Sequence, residues 1–258
     1  MAEGRDGSNV RNFDMLTPGF LELFEAAYVI NLPERIDRRR DLEAELRRDG
    51  MGSRANVRFY RASWPDEAAP FQSRGTKGNF LSHLSILREA QKSGLESVLI
   101  LEDDAEFEDQ MASALTWLVP ELLALEWGVV QFGYRLSGKT AAPGAGPSLV
   151  PFRGEVFGVH CYAVHRRAME PLITHLERQL VGTPGDVIYG PMSYDGSINT
   201  FGWARQDVAR HLAVPSLCRQ RSSSSDVNPR PWDRTGITRA VTDRVRSVRR
   251  RTSALRSK

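Results

Sequence analysis

SVLILEDDAEF, residues 97–107, is the stretch whose reading decides the fold. A short apolar run drives straight into three consecutive acids, Glu102, Asp103 and Asp104. A run of this length reads as a buried strand. The three carboxylates then stand at its carboxyl end, where either water or a cation must take up their charge.

Working outward, apolar runs alternate with helix-patterned segments. AAYVINL (26–32) reads as a buried strand, followed by a charged helix over about 34–48 that stops at Gly50. VRFYRAS (57–63) is the next strand. A Pro-containing loop leads to Gly78 and a helix over about 80–92, closed by Gly94. After the strand at 97 come a helix near 110–118 and the strand WGVVQFG (127–133). This rhythm predicts an α/β fold, an open, mostly parallel central sheet with helices on both faces. Such sheets take ligands at the carboxyl ends of their strands, which brings Asn31 and the acidic triplet to one edge. KTAAPGAGPS (139–148) is loop by composition. VFGVHCYAVH (156–165) reads as a strand with a helix over about 167–179 behind it. The stretch 182–199 resists assignment, and HLAVPSLCRQ (211–220) is a final strand. Trp64, Trp127 and Trp203 are most simply core residues, although Trp203 has an alternative use as an aromatic platform for a sugar.

Length and composition set the bounds. The chain has 258 residues, of which 41% are hydrophobic and 26% charged, as expected of a soluble globular protein. No stretch nears the ~20 apolar residues that span a bilayer. The first residues lack the apolar core of a signal peptide, so a cytoplasmic protein is expected. Cys161 and Cys218, the only cysteines, share no metal-type spacing and read as reduced, partly buried thiols. From Arg230 onward, ten Lys or Arg stand against two Asp, a balance of +8. Within a net charge of +3 that leaves the other residues at −5. Three regions follow: an N-terminal extension (1–25), a main domain (26–228) and a basic tail (229–258). In the tail Ile237, Val241, Val245 and Val248 make one helical stripe. Such a helix is marginal alone in water. An anionic membrane is the surface favoured for it, a partner or the body remain alternatives, and nucleic acid is not expected.

The acidic triplet has a bland reading, a solvated loop, and a chemical one. Glu102 and Asp104, at i and i+2 on a rigid strand, suit Mg²⁺ or Mn²⁺ with positions left open for phosphate oxygens. Asp103 is then free to hydrogen-bond sugar or backbone. Gly78, taken as lying just ahead of a helix, and Lys77 suit a phosphate, or simply a tight turn. Ser82 and His83 follow in the first helical turns, near the strand ends.

VINLPERIDRRRDLEAEL, GTKGNFLSHLSILREA and VLILEDDAEF resemble successive blocks of glycosyltransferase family 25. FGVHCYAVHRRAMEPL is similar to a fourth block, and QRSSSSD (220–226) to a closing Gln-x-x-x-x-Ser-Asp motif. The resemblance spans about residues 26–228. It implies a GT-A-type fold, a UDP-sugar donor (galactose or glucose), a Mn²⁺-type cation and inversion at the anomeric carbon. Carried across, Asn31, Arg35, Asp37 and Arg38 would line the uridine and ribose side. Ser82 and His83 would lie near the donor, and Glu102, Asp103 and Asp104 would hold the metal–diphosphate. Asn79 stands where the family usually has Cys, which bears on local packing.

An inverting transfer also needs a carboxylate on the acceptor side to accept the hydroxyl proton. Asp186, in TPGDVIYG, is the first candidate because it loosely matches a family Pro-x-Asp block, and Asp195 is the second. The expected acceptor is a glycan or lipid-linked glycan, in cell-envelope polysaccharide biosynthesis. Two rival readings stay open at this point: a non-catalytic nucleotide-sugar-binding module, and an interaction protein docking through its basic tail. Gly158 and His160 are candidates for the border of a sugar pocket or for core strand, and Asp226 for a late ligand contact or a helix cap.

Overall fold

The computed structural model describes residues 18–136 and 146–221. The loop at 139–145, Asp226 and the basic tail fall outside the described residues.

A turn of 3-10 helix, Phe20–Leu23, precedes β1 (Ala26–Asn31), α1 (Ile36–Glu45), β2 (Val57–Arg61) and α2 (Arg74–Lys92). Then come β3 (Ser97–Glu102), β4 (Ala105–Phe107), α3 (Met111–Ala124) and β5 (Val129–Leu136). The second half comprises β6 (Ser148–Pro151), β7 (Val156–His165), α4 (Arg166–Leu180), α5 (Tyr194–Ala204), β8 (Arg210–Val214) and β9 (Cys218–Gln220). The sheet runs β2-β1-β3-β7-β5-β8-β6, with β9 joining β5 and β4 joining β9. β1, β2, β3, β5, β8 and β9 point one way, while β7, β6 and β4 run against them. The sheet is therefore mixed but largely parallel, and the α/β expectation holds.

The core follows the period-2 alternation of the buried strands. Ala27 and Val29 of β1, with Leu99 and Leu101 of β3, face α1 and α3. Ala26, Tyr28, Ile30, Val98 and Ile100 face the opposite way, onto α2, α4 and α5. Both faces are thus covered by helices.

Several boundaries differ from those expected. Phe20 and Phe24 are buried, and Phe20 packs edge-on against Phe107 and Phe132, so the folded body begins before residue 26. α2 starts at Arg74, six residues earlier than the apolar pattern suggests. Ser73 caps it, its Oγ accepting from Thr76 N at 3.0 Å. The unassigned stretch ends within the first turns of α5, and the single late strand is two, β8 and β9. Cys161 and Cys218 are free and completely buried.

Candidate functional site

β1 passes to β2 on one side and has β3 on the other, so strand order reverses at β1. A cleft of about 300 Å³ opens at this edge, as expected for a doubly wound sheet. One wall comes from the ends of β1 and β2 (Leu32, Ala62, Ser63, Trp64), from Arg38, and from the first turns of α2 (Gly75, Thr76, Asn79). Glu102, Asp103 and Asp104 lie between. The opposite wall is Arg135, Gly158, Val159 and the start of α5, Ser193 to Asp195. Because β7 runs antiparallel, its amino end reaches the edge where its neighbours end.

The three acids have distinct surroundings. Asp103 accepts from Asn31 Nδ2 at 2.8 Å and from Arg38 Nη1 at 2.7 Å. Asp104 Oδ2 lies 3.3 Å from the same Arg38 nitrogen and accepts from Gln220 Nε2 at 3.2 Å. Its Oδ1 is buried and has no partner among the described residues. Burial pushes the Asp104 carboxyl up to about 7, against the pull of Arg38 and with the charges of Glu102 and Asp103 adding to the rise. Burial works to raise Glu102 too, but hydrogen bonding to His83 and the Asn79 amide (2.7 Å) holds it below its ordinary value.

Behind Glu102 lies a buried polar chain. His83 Nε2 sits 3.5 Å from Glu102 Oε1. His83 Nδ1 is 2.8 Å from the Tyr162 hydroxyl, which donates to the Tyr194 hydroxyl at 2.8 Å. The imidazole stacks on Tyr194 at 3.8 Å between centroids. Burial lowers the His83 pKa and raises that of Tyr162 well above its ordinary value.

The expected residues fall into three groups. Arg38, Glu102, Asp103, Asp104 and Asp195 line the cleft. Asn31, Ser82 and His83 lie just behind it. Ser82 Oγ accepts from Ser63 N at 2.8 Å and donates to Gly78 O at 2.7 Å, holding the end of β2 against α2. The third group lies off the cleft. Arg35 forks onto Asp37 at 3.0 and 2.9 Å, and Lys77 Nζ donates to Ala69 O.

Two expectations are corrected by position. Gly78 is in the second turn of α2, not ahead of it. A Cβ there would fall 2.2 Å from Ser63 O, so this glycine allows the helix to approach the strand end. The amino-terminal residues that face the cleft are Gly75 and Thr76. Asp186, expected as the base, is fully exposed and outside the cleft lining. Its Oδ1 accepts from Ile188 N and Tyr189 N, closing a turn. Asp195, by contrast, is in the cleft, accepting from Gly158 N at 3.3 Å and Gly196 N at 2.9 Å. Asn199 of α5 bonds both ways to Val156 of β7, at 3.2 and 2.9 Å, and so fixes the helix that carries it.

Trp64, Asn79, Arg135 and Gln220 were not expected in the site. Trp64 is 48% exposed at the cleft rim with Arg74 over its ring. Its place just past β2 was the available signal. Trp203 is 38% exposed and donates to Arg153 O at 3.0 Å, whereas Trp127 is core. Among the described residues, no three His, Cys, Asp or Glu side chains gather into a metal-binding group. No described helix is long and apolar enough to cross a membrane.

Comparison with known proteins gives the family. Residues 59–188 match Glycosyltransferase family 25 (LPS biosynthesis protein), and the chain belongs to that family. Procollagen galactosyltransferase 2 of Mus musculus is 30% identical over 130 residues, 43% of this chain and 21% of that protein. The human inactive glycosyltransferase 25 family member 3 is 32% identical over 129 residues, 43% of this chain and 22% of that protein. The matched part spans about a fifth of these relatives. Among solved structures, a glycosyltransferase involved in glycosylation of the major capsid of PBCV-1 is similar with a TM-score of 0.46 and 12% identity, covering 77% of this chain and 94% of that one.

Proposed function

We propose that the chain is an inverting, metal-dependent glycosyltransferase of GT-A type. It moves a hexose, galactose or glucose, from a UDP-sugar to a hydroxyl of a glycan or lipid-linked glycan. The observation that carries this reading is the buried, unpartnered Oδ1 of Asp104 at the base of the cleft, beside Glu102.

Those residues fit a hard divalent cation. Their donors are all carboxylate oxygens, and a Mg²⁺- or Mn²⁺-type ion shared with phosphates needs only one or two protein carboxylates. Charge points the same way. The cleft holds Glu102, Asp103, Asp104 and Asp195 against Arg38 and Arg135, so a diphosphate entering alone would meet a negative surface. Glu102 and Asp104 would hold the cation, which when bound supplies positive charge to the departing diphosphate.

The remaining roles belong to the chain. Asn31 and Arg38 hold Asp103 in one orientation. The first turn of α2 presents backbone N–H groups to an anion. Asp195, across the cleft from Arg38, is the base that accepts the acceptor's hydroxyl proton. Its position in the cleft supports it over Asp186.

The test is UDP release from a panel of UDP-sugars with Mn²⁺ and a glycan acceptor library. Release that stops with EDTA and returns with Mn²⁺ is expected; release indifferent to chelation contradicts the metal role. The 32% identity to an inactive family member favours one second reading, a nucleotide-sugar-binding module without turnover. UDP binding with no release from any donor would select it.

A further inference from the structure

We infer that Arg135 on the cleft wall, together with its strand partner Phe157 at the wall's edge, forms an acceptor subsite that selects a sugar carrying a negatively charged substituent. The inference rests on the reading of Asp195 as the acceptor-side base.

Arg135 and Phe157 are cross-strand partners on β5 and β7. Directly opposed residues of an antiparallel pair hold their Cβ atoms about 5 Å apart on one face, the width of one sugar ring. Phe157 is 48% exposed, and an exposed aromatic face suits the C–H side of a pyranose. Arg135 lines the cleft and is exposed.

The two cleft cations differ in charge balance. Arg38 is shared between Asp103 and Asp104. Arg135 has no ion pair with any described carboxylate, so its charge is available to a ligand. Its location says which ligand. Arg135, Gly158 and Asp195 share one cleft wall, with the Gly158 N–H donating to Asp195, and Phe157 is next in the chain to Gly158 and the strand partner of Arg135, at the edge of that wall. Gly158, at φ +76°, turns the chain here and presents no side chain between the ring and the base. Arg38 and the ends of β1 and β2 form the other wall, on the donor side, with Asn31 behind it. A guanidinium grips carboxylate or phosphate in a two-pronged fashion. A neutral sugar would leave that charge unused.

The experiment is calorimetric titration of the full chain, with UDP and Mn²⁺ present, using p-nitrophenyl β-D-glucuronide and p-nitrophenyl β-D-glucoside. These differ only in a carboxylate at C6. About tenfold tighter binding of the glucuronide is expected, with the preference shrinking in high salt. Arg135→Ala should abolish the preference, and Arg135→Lys should restore part of it. Phe157→Ala should weaken both sugars to a similar extent. Equal affinity for the two sugars, or no binding of either, overturns the inference. So does an Arg135→Ala chain whose loss appears in the UDP titration, which would assign the cation to the donor. The underlying reading fails separately, when the wild-type chain neither binds UDP nor releases it from a UDP-sugar.

Discussion

The Arg38 guanidinium and the Asp103 carboxylate meet at 2.7 Å with about nine-tenths of each side chain hidden from solvent. One residue of α1 thereby restrains the acidic strand end, because Arg38 also reaches Asp104. Removing one partner of a buried pair leaves the other charge uncompensated. Arg38→Ala should lower stability by about 3 kcal/mol. The double change Arg38→Ala with Asp103→Asn should recover much of the loss, as read from urea unfolding.

Asp104→Asn should separate function from stability. The folded carboxyl sits at about 7 rather than 3.8 because burial resists its charge. Between those values the native state keeps a proton that the unfolded chain has released, so wild-type stability falls as pH rises through the window. The variant lacks that slope. Without added divalent cation, its Tm should exceed the wild-type value at pH 8 and approach it at pH 5, while sugar transfer is lost.

Asp195 and Asp186 make a paired comparison. Loss of a general base costs about 10²- to 10⁴-fold in rate, so Asp195→Asn should lower kcat by that much. Asp186→Ala should leave kcat near the wild-type value. It would lower stability slightly, through the two turn N–H groups it no longer caps.

His175 supplies an acid limit to stability. Burial first, then the charges of Arg178 and Arg205, lower its pKa to about 4, and its Nε2 lies 3.0 Å from Thr200 Oγ1. The native state keeps the ring neutral below pH 6.5, where the unfolded chain gains a proton. Its stability contribution is therefore full above 6.5 and is lost as pH falls toward 4. His175→Gln should flatten that part of the pH–stability curve measured by denaturant unfolding.

Gly78→Ala should act at the cleft rim. With Ser63 O only 2.2 Å from the new Cβ, helix and strand end must separate, at about 1–3 kcal/mol. Ser63 and Trp64 would move with the strand, so the donor KM should rise more than kcat falls.

The central strands and their helices were legible in the chain because both faces of the sheet are covered, which makes β1 and β3 near-continuous apolar runs. The same reading put the triplet at the strand-end edge where the cleft opens. What escaped was set by contacts distant in sequence. The start of α2 is polar and Gly-rich, so its true cap at Ser73 shows no apolar period. Asn79, whose type suggests only a packing role, donates to Glu102 at 2.7 Å, a partner distant in the chain. Arg135 and Gln220 reach the cleft only through the insertion of β7 and the pairing of β9. Asp186 drew attention through a local motif, but a turn uses both its backbone partners.

Arg221, the last described residue, is nearly buried, its guanidinium 2.8 Å from Asp41 and 3.2 Å from Glu45, and its N–H donates to Asp104 O at 2.7 Å. Beside it, β9 supplies the strand partner of β4, and Gln220 a hydrogen bond to Asp104. During synthesis on the ribosome, the acidic strand end emerges more than a hundred residues before the segment that completes its surroundings. A nascent chain halted short of β9 would hold the carboxylates without their clasp, so the cleft matures only when nearly the whole body has left the exit tunnel.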